Sequence, residues 1–525
     1  MESKKIDSSR RNFLSGAAVT AMAAVGTGVL AGKALMPATA EAAEKKTSAK
    51  PAAKITKADA TIEVDVVVVG SGLGGLSAAM TAAEEGAKKV LLLEKERFWG
   101  GGSNFAEVFI GPVPADDAEA RRSAADFAKW SNYVADPMLH YQKNLDQKEN
   151  SAWLFDKHKV KIHPLPGTPL NFYEGGHGMS CINTLVPQAK ALGVEMRANI
   201  AVESLLMKDP YTCLGVRAKE KSGKVIDIKA KGVVLATGGI STNKALLAKY
   251  TSIDLEKVII DGAQSGQDGD GQVMVEATAH GKATHLCVSS LFLNVKGFAY
   301  DSSLGVCVAM QPTNLWVNQD AVRFIDESIV SATANCNKAV EIQGSVYSIL
   351  DQAGFDKYAA GACQTHYSGF ADKLIGNPVP GLAAEIEKYK NLPDVFTAPS
   401  LEELAHKIGL DAAAFKGTVE QYNGFAQSGS DAEWGKKASN IWPVAKGPFY
   451  AFRLSSGMVN TNGGVRINRN AQVVDPRYKV ISGLYATGIL TSGWEGETYL
   501  MGTCQAVALW GGRKAAKHIV ANRIS

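Results

Sequence analysis

The residues with the plainest chemical meaning in this 525-residue chain lie between Val64 and Glu94. The run Val64-Asp65-Val66-Val67-Val68-Val69 enters Gly70-Ser71-Gly72-Leu73-Gly74-Gly75, and Ala78, Ala79, Ala82 and Ala83 follow. An apolar strand that opens into G-x-G-x-x-G and then into a small-residue helix is suited to holding a dinucleotide. Gly70 permits the tight turn, Gly72 lets the backbone approach a pyrophosphate, and Gly75 lets the helix pack against the strand. The helix N-terminus offers N–H groups to the anion. Val90-Leu91-Leu92-Leu93 reads as the returning strand, and it ends on Glu94, where a carboxylate can accept hydrogen bonds from ribose hydroxyls. The unit predicts an α/β, dinucleotide-dependent redox enzyme. Taken alone, it leaves NAD and FAD both open.

The rest of the chain sets the context for that unit. Lys4 and Lys5 precede Ser9-Arg10-Arg11-Asn12-Phe13-Leu14, an Ala- and Gly-rich apolar run follows to about Leu35, and Pro37-Ala38-Thr39-Ala40 supplies small residues for cleavage. This order of charged, apolar and cleavage regions, led by a twin arginine, predicts an export peptide over residues 1–43. Such a signal places the mature protein in the periplasm or on the outer face of the cell envelope. Gly26, Gly28 and Gly32 interrupt the apolar run, which argues against a permanent membrane span. Residues 44–60, rich in Lys and Ala, read as a linker. The net charge of +4 is small and both signs are scattered, so no nucleic-acid partner is expected. The seven cysteines are widely spaced, with no C-x-x-C, so neither a metal cluster nor a haem attachment site is read and no disulfide is assigned.

Further stations favour FAD. Gly232-Val233-Val234-Leu235-Ala236-Thr237-Gly238-Gly239 and Gly483-Leu484-Tyr485-Ala486-Thr487-Gly488 each read as a buried strand ending in a Gly turn, the second followed by a helix from about Gly502 to Ala521. Short strands are expected near 194–206, 213–219 and 225–229, and a polar helix over 114–150. With Gly269-Asp270-Gly271, Leu315-Trp316-Val317-Asn318 continuing to Arg323-Phe324-Ile325-Asp326-Glu327, Asn462-Gly463-Gly464-Val465 and Gly511-Gly512-Arg513, the chain resembles the FAD-dependent oxidoreductases of the fumarate reductase and succinate dehydrogenase flavoprotein family. That likeness runs in order from residue 61 to 525. It implies a Rossmann-like FAD-binding domain split into 61–288 and 461–525, with an inserted α+β capping domain over 289–460. It also implies cofactor contacts at Gly70, Gly72, Leu73, Gly74, Gly75, Glu94, Lys95, Gly101, Gly102, Ser103, Thr237, Gly238, Gly239, Asp270 and Gly488. The 315–327 segment is expected to be a strand pair, with Arg323 paired to Asp326 or Glu327. No histidine follows Gly101-Gly102 in Ser103-Asn104-Phe105-Ala106-Glu107, so the resemblance implies non-covalent FAD. Ile489 stands where the family commonly has Glu.

The substrate half departs from the family. Aligned through the shared motifs, the proton-donating Arg of the soluble fumarate reductases falls on Ser331, their relay Glu and Arg on Cys307 and Met310, their paired histidines on Val459 and Asn460, and their substrate Arg on Tyr499. A buried dicarboxylate without cationic partners is costly, so fumarate is not the expected substrate. Tyr499 is the candidate catalytic residue, because a phenol can donate a hydrogen bond where charge develops on a carbonyl. The 3-ketosteroid dehydrogenases, a sister branch, are similar in carrying such a Tyr; the alternative is that Tyr499 only closes the pocket. Glu495 and Glu497 are expected to face solvent on a loop, the alternative being contact with a polar substrate end, and Tyr173 and His177 to be structural. The leading expectation is reduction of a C=C bond conjugated to a carbonyl, fed by a separate cytochrome c or membrane quinol system. Against it stand a ketosteroid-type dehydrogenase running oxidatively and a flavin carrier without catalysis.

Overall fold

A computed structural model describes residues 57–524, apart from 165–169, 261–265, 279, 282, 300–301, 365–375 and 497–498. The export segment and nearly all of the linker lie outside the described residues. The first strand starts slightly ahead of the expected residue 61: Asp59 already exchanges hydrogen bonds with Val225, and strand β1 runs Ala60–Val69. Its first half alternates in burial, whereas Val66–Val69 are buried on both faces, as a strand inside a parallel sheet must be. Helix α1, Leu73–Glu84, and strand β2, Val90–Leu93, complete the unit read from the sequence.

Strands β1 and β2 lie in an eight-stranded sheet. The parallel strands end level with one another. Val69 sits opposite Leu93 on one side and Leu235 on the other, and Leu235 sits opposite Ala486. The residues that follow each strand are therefore delivered to a single sheet edge, where open α/β sheets bind ligands. The expected strands at 225–229 and 233–236 prove to be one, Val225–Leu235. Gly232 within it leaves room for Ile519, whose side chain would lie 2.7 Å from an added Cβ. The expected helix over 114–150 is two, Asp117–Trp130 and Pro137–Ser151, because Asn132 and Tyr133 take positive φ and Asp136 caps a new start with Pro137 behind it. The C-terminal helix, Thr503–Ile519, packs on α1 through a shared core that includes Leu76, Met80, Leu509 and Ala516.

Strands Ala283–Asn294 and Ser455–Val465 form an antiparallel ladder in which Val288 faces Thr461, so the two expected boundaries of the inserted segment lie opposite each other. The segment between these two strands carries a four-stranded antiparallel sheet made of Leu315–Asn318, Val346–Asp351, Phe449–Arg453 and Val395–Ala398. Both of its faces are buried: Trp316, Leu350 and Phe452 point into one apolar core, and Leu315, Val317, Ile349 and Ala451 into another.

The expected strand pair at 315–327 is only half present. After Leu315–Asn318 the side chain of Asn318 accepts hydrogen bonds from the Asp320 and Val322 N–H groups, and Ala321 adopts φ 60°, so the chain turns and does not extend. This turn drives Arg323 inward. Its guanidinium meets Glu327 at 3.0 Å, as expected, and Asp431 at 2.9 Å, which local spacing could not reveal. Lys436 completes the buried cluster at 3.1 Å from Glu327.

Candidate active site

A cavity opens at the level edge of the sheet. Its walls are the turns that follow the four matched strands: Gly70, Ser71, Gly72 and Gly74 after β1, Glu94, Lys95 and Glu96 after β2, Ala236, Thr237 and Gly238, and Thr487, Gly488 and Ile489. Two glycines make this arrangement possible. Gly70 has φ +101°, and a Cβ there would lie 2.3 Å from the Ala236 carbonyl oxygen. A Cβ on Gly75 would lie 1.8 Å from the Gly70 carbonyl oxygen, so only glycine lets α1 start against the turn.

The turn is fastened by Glu94. One of its oxygens accepts the Ser71 N–H at 3.0 Å and the Ser71 hydroxyl at 2.6 Å, and the other accepts the Glu96 N–H at 3.0 Å. Ser71 in turn accepts the Gly100 N–H, and Ser103 accepts the Leu73 N–H at 3.0 Å. Lys95 bridges Asp268 and Asp270, each at 2.7 Å, which ties the Gly269-Asp270-Gly271 turn to the end of β2. Burial pulls the Lys95 pKa down, but the two carboxylates outweigh it and leave the ammonium held above its ordinary value.

The sequence-derived contacts Gly70, Gly72, Gly74, Glu94, Lys95, Gly101, Gly102, Ser103, Thr237, Gly238, Asp270 and Gly488 all line this cavity. Leu73, Gly75 and Gly239 do not. The Leu73 side chain is in the core, Gly75 serves helix packing, and Gly239 lies against Thr461, whose hydroxyl would be 2.4 Å from an added Cβ. The wall fits a dinucleotide. Among the described residues, the buried Thr237 Oγ1 and Asn460 Oδ1 have no hydrogen-bond partner.

Tyr499 lies on the same wall, with Phe105, Met501, Asn460, Cys504 and Gln505. Among the described residues, neither Arg nor His lines the cavity. Of the positions aligned with the fumarate-site groups, Cys307 and Met310 are buried in the apolar core that also holds Trp316, and Ser331 is exposed. Tyr173 is fully buried and donates to Gln505 at 3.4 Å, while His177 is off the cavity wall. Arg513 is structural, bridging Glu149 and Asn150.

Comparison with known proteins decides the family. The family described as "FAD binding domain" matches residues 65–136 and 142–504. The chain belongs to that family. It is an FAD-dependent oxidoreductase of the fumarate reductase flavoprotein type. It is 32% identical to the vinyl phenol reductase of Lactiplantibacillus plantarum over 86% of this chain and 96% of that one. It is 28% identical to the cytochrome-type fumarate reductase of Shewanella frigidimarina over 92% of this chain and 81% of that one. Its fold matches the crystal structure of 3-ketosteroid delta1-dehydrogenase from Sterolibacterium denitrificans with a TM-score of 0.71, at 20% identity, over 87% of this chain and 99% of that one.

One expectation for this flavoprotein is overturned. Glu495 does not face solvent: it is 3% exposed. The loop that carries it is pulled inward, because the Asp136 N–H donates to Gly493 at 2.7 Å and His140 bonds the Trp494 carbonyl at 2.6 Å. The Glu495 carboxyl accepts from Leu500 N–H at 3.2 Å and from Asn462 Nδ2 and shares a hydrogen bond with Thr503. Burial among these neutral partners pushes its pKa up to about 8. Glu497 lies outside the described residues.

A raised acid in the folded state fixes the sign of a stability effect. Above the ordinary carboxylate range the unfolded chain has lost this proton while the folded chain retains it, so stability falls as pH rises toward about 8. Glu495→Gln carries no such penalty. Its melting temperature is expected to exceed that of the parent at about pH 8, and to equal it near pH 4, in thermal denaturation of the two holoproteins side by side.

Proposed function

We propose that this flavoprotein reduces a C=C bond conjugated to an uncharged oxygen function, an enone or a vinyl phenol, and does not act on a dicarboxylate. The observation that carries the reading is the wall around Tyr499. A phenol, two amides, a thiol and a thioether occupy it, with no Arg or His among the described residues, and a dicarboxylate brought there would be buried without a cationic partner. Kinship with a vinyl phenol reductase supports the same substrate class.

When bound, reduced FAD would supply the hydride. The chain's own part is to place and polarise the acceptor. Gly70, Gly72, Gly74 and Glu94, on the cavity wall, would hold the cofactor's phosphate and ribose end, and Tyr499 lies on the same wall. The Tyr499 hydroxyl donates to the oxygen conjugated with the double bond, where negative charge develops as the bond is reduced. Phe105 and Met501 give the acceptor apolar contact and keep water away from it.

The reading is tested by titrating the oxidised holoprotein with 4-ethylphenol and with succinate while recording the flavin absorbance. Saturable perturbation by the phenol and none by the dicarboxylate is expected; the reverse order of affinities would overturn the reading.

The N-terminal Arg10-Arg11 pattern supports export of the folded, FAD-loaded protein, with electrons delivered by a separate cytochrome c or quinol system. Replacing both arginines by Lys is expected to leave the flavoprotein in the cytoplasmic fraction of the host, whereas the parent appears outside the inner membrane.

A further inference from the structure

From the cavity wall a chain of hydrogen bonds runs inward to a carboxyl. Tyr499 hydrogen-bonds Cys504. Cys504 Sγ donates to Asn462 Oδ1 at 3.5 Å, and Asn462 Nδ2 donates to Glu495. Asn460, also on the wall, donates to Cys504 Sγ at 3.4 Å. The chain therefore starts at a phenol on the cavity wall and ends at a buried acid that is not part of that wall.

We propose that Glu495 is a positioning residue for Tyr499: the protonation state of its carboxyl, transmitted through Asn462 and Cys504, decides whether the Tyr499 hydroxyl hydrogen points into the cavity or away from it. This rests on the reading of Tyr499 as the donor to the substrate oxygen.

An ionised carboxylate only accepts, so the Asn462 amide must present Nδ2 to it and Oδ1 to Cys504. The thiol hydrogen is then committed to Asn462, and the sulfur is left to accept the Tyr499 hydroxyl, whose hydrogen is drawn away from the cavity. A protonated carboxyl must place its own buried O–H on an acceptor. Turning over the Asn462 amide supplies Oδ1 to the acid and Nδ2 to the sulfur. The thiol hydrogen is then free to donate to the Tyr499 oxygen, and the phenol hydrogen faces the acceptor. One proton is taken up from solvent, and every hydrogen bond in the chain reverses; no bond between heavy atoms changes.

The surroundings suit such a switch. The partners of Glu495 on the strand Ser455–Val465 and on the start of the C-terminal helix are Asn462 and Thr503, both neutral, and the titratable neighbour there is Cys504. From the helix Pro137–Ser151, His140 contacts the Trp494 carbonyl and is kept neutral, its pKa pushed down to about 3 by burial and by Lys143. Lys143 is itself pulled down to about 8 by burial, and Asp136 meets the loop only through its backbone at Gly493.

The test uses the holoprotein in two independent measurements. In infrared difference spectra across pH, a protonated-carboxyl band is expected near pH 6, lost by about pH 9, and absent from Glu495→Gln at both. In anaerobic reoxidation of the reduced flavin by a neutral enone, the parent rate constant is expected to fall about tenfold per unit above about pH 8. Glu495→Gln, which can donate at every pH, should show no fall until the Tyr range near pH 10. Cys504→Ala, which cuts the chain, should lose the same limb and serves if Glu495→Gln does not fold. A parent limb retained in both variants, or no titrating acid band, overturns the proposal. An acid band that titrates as expected, in a protein whose flavin no neutral acceptor reoxidises, removes the reading of Tyr499 instead and the proposal with it.

Discussion

Tyr499→Phe is expected to slow reoxidation of the reduced flavin by a conjugated neutral acceptor by about 10²–10³-fold, the usual effect of deleting one donor from a site of developing negative charge. The ring, its apolar contact and the cavity shape are retained, so FAD content and the flavin spectrum should not change. The loss should appear in the rate at saturating acceptor more than in the concentration that half-saturates it, because the hydrogen bond strengthens as charge builds on the oxygen. Rapid-mixing kinetics on the two holoproteins give both quantities. An unchanged rate would reduce Tyr499 to a wall of the pocket.

The largest effect on stability is expected at Arg323. Its guanidinium is 3% exposed and holds Glu327 and Asp431, with Lys436 as the second cation of the cluster. Burial works to raise the Asp431 pKa, but Arg323 and the N–H groups of Glu433, Trp434 and Lys436 more than offset it and keep the carboxyl well below the ordinary range. Arg323→Met leaves two buried carboxylates facing one ammonium, a change that costs about 3–5 kcal/mol where a buried pair is broken. That is a large share of a domain stability of about 5–15 kcal/mol. The denaturation midpoint should fall accordingly at pH 7. The gap should narrow as pH drops through the carboxylate range, since protonation removes the charges the variant leaves unpaired. An equal gap at pH 7 and pH 4 would show that lost packing, not lost charge, is responsible.

The cofactor half of the molecule was legible in the sequence because its determinants are contiguous. Gly70 to Glu94 lies within one β1-α1-β2 unit, and each later Gly turn follows its own apolar strand, so local order was enough to place Thr237, Gly238 and Gly488 on one edge. What local order could not supply is contact between segments distant in the chain. Arg323 and Asp431 meet across 108 residues. Glu495 looked like a loop carboxylate, and only the packing of residues 131–140 against Gly493, Trp494 and Gly496 buries it. The misread strand at 323–327 has a related cause. The strand that the family likeness implied there gives way to the Asn318 side-chain turn and to the pull of a buried ion cluster.

The measurement that bears most directly on the central claim is anaerobic reoxidation of the reduced flavin by 4-vinylphenol or a simple enone and by fumarate, under identical conditions. Second-order rate constants at least about 10²-fold larger are expected for the neutral acceptors, because a dicarboxylate must be buried without Arg partners. Fumarate reoxidising the flavin as fast as the neutral acceptors would contradict that claim.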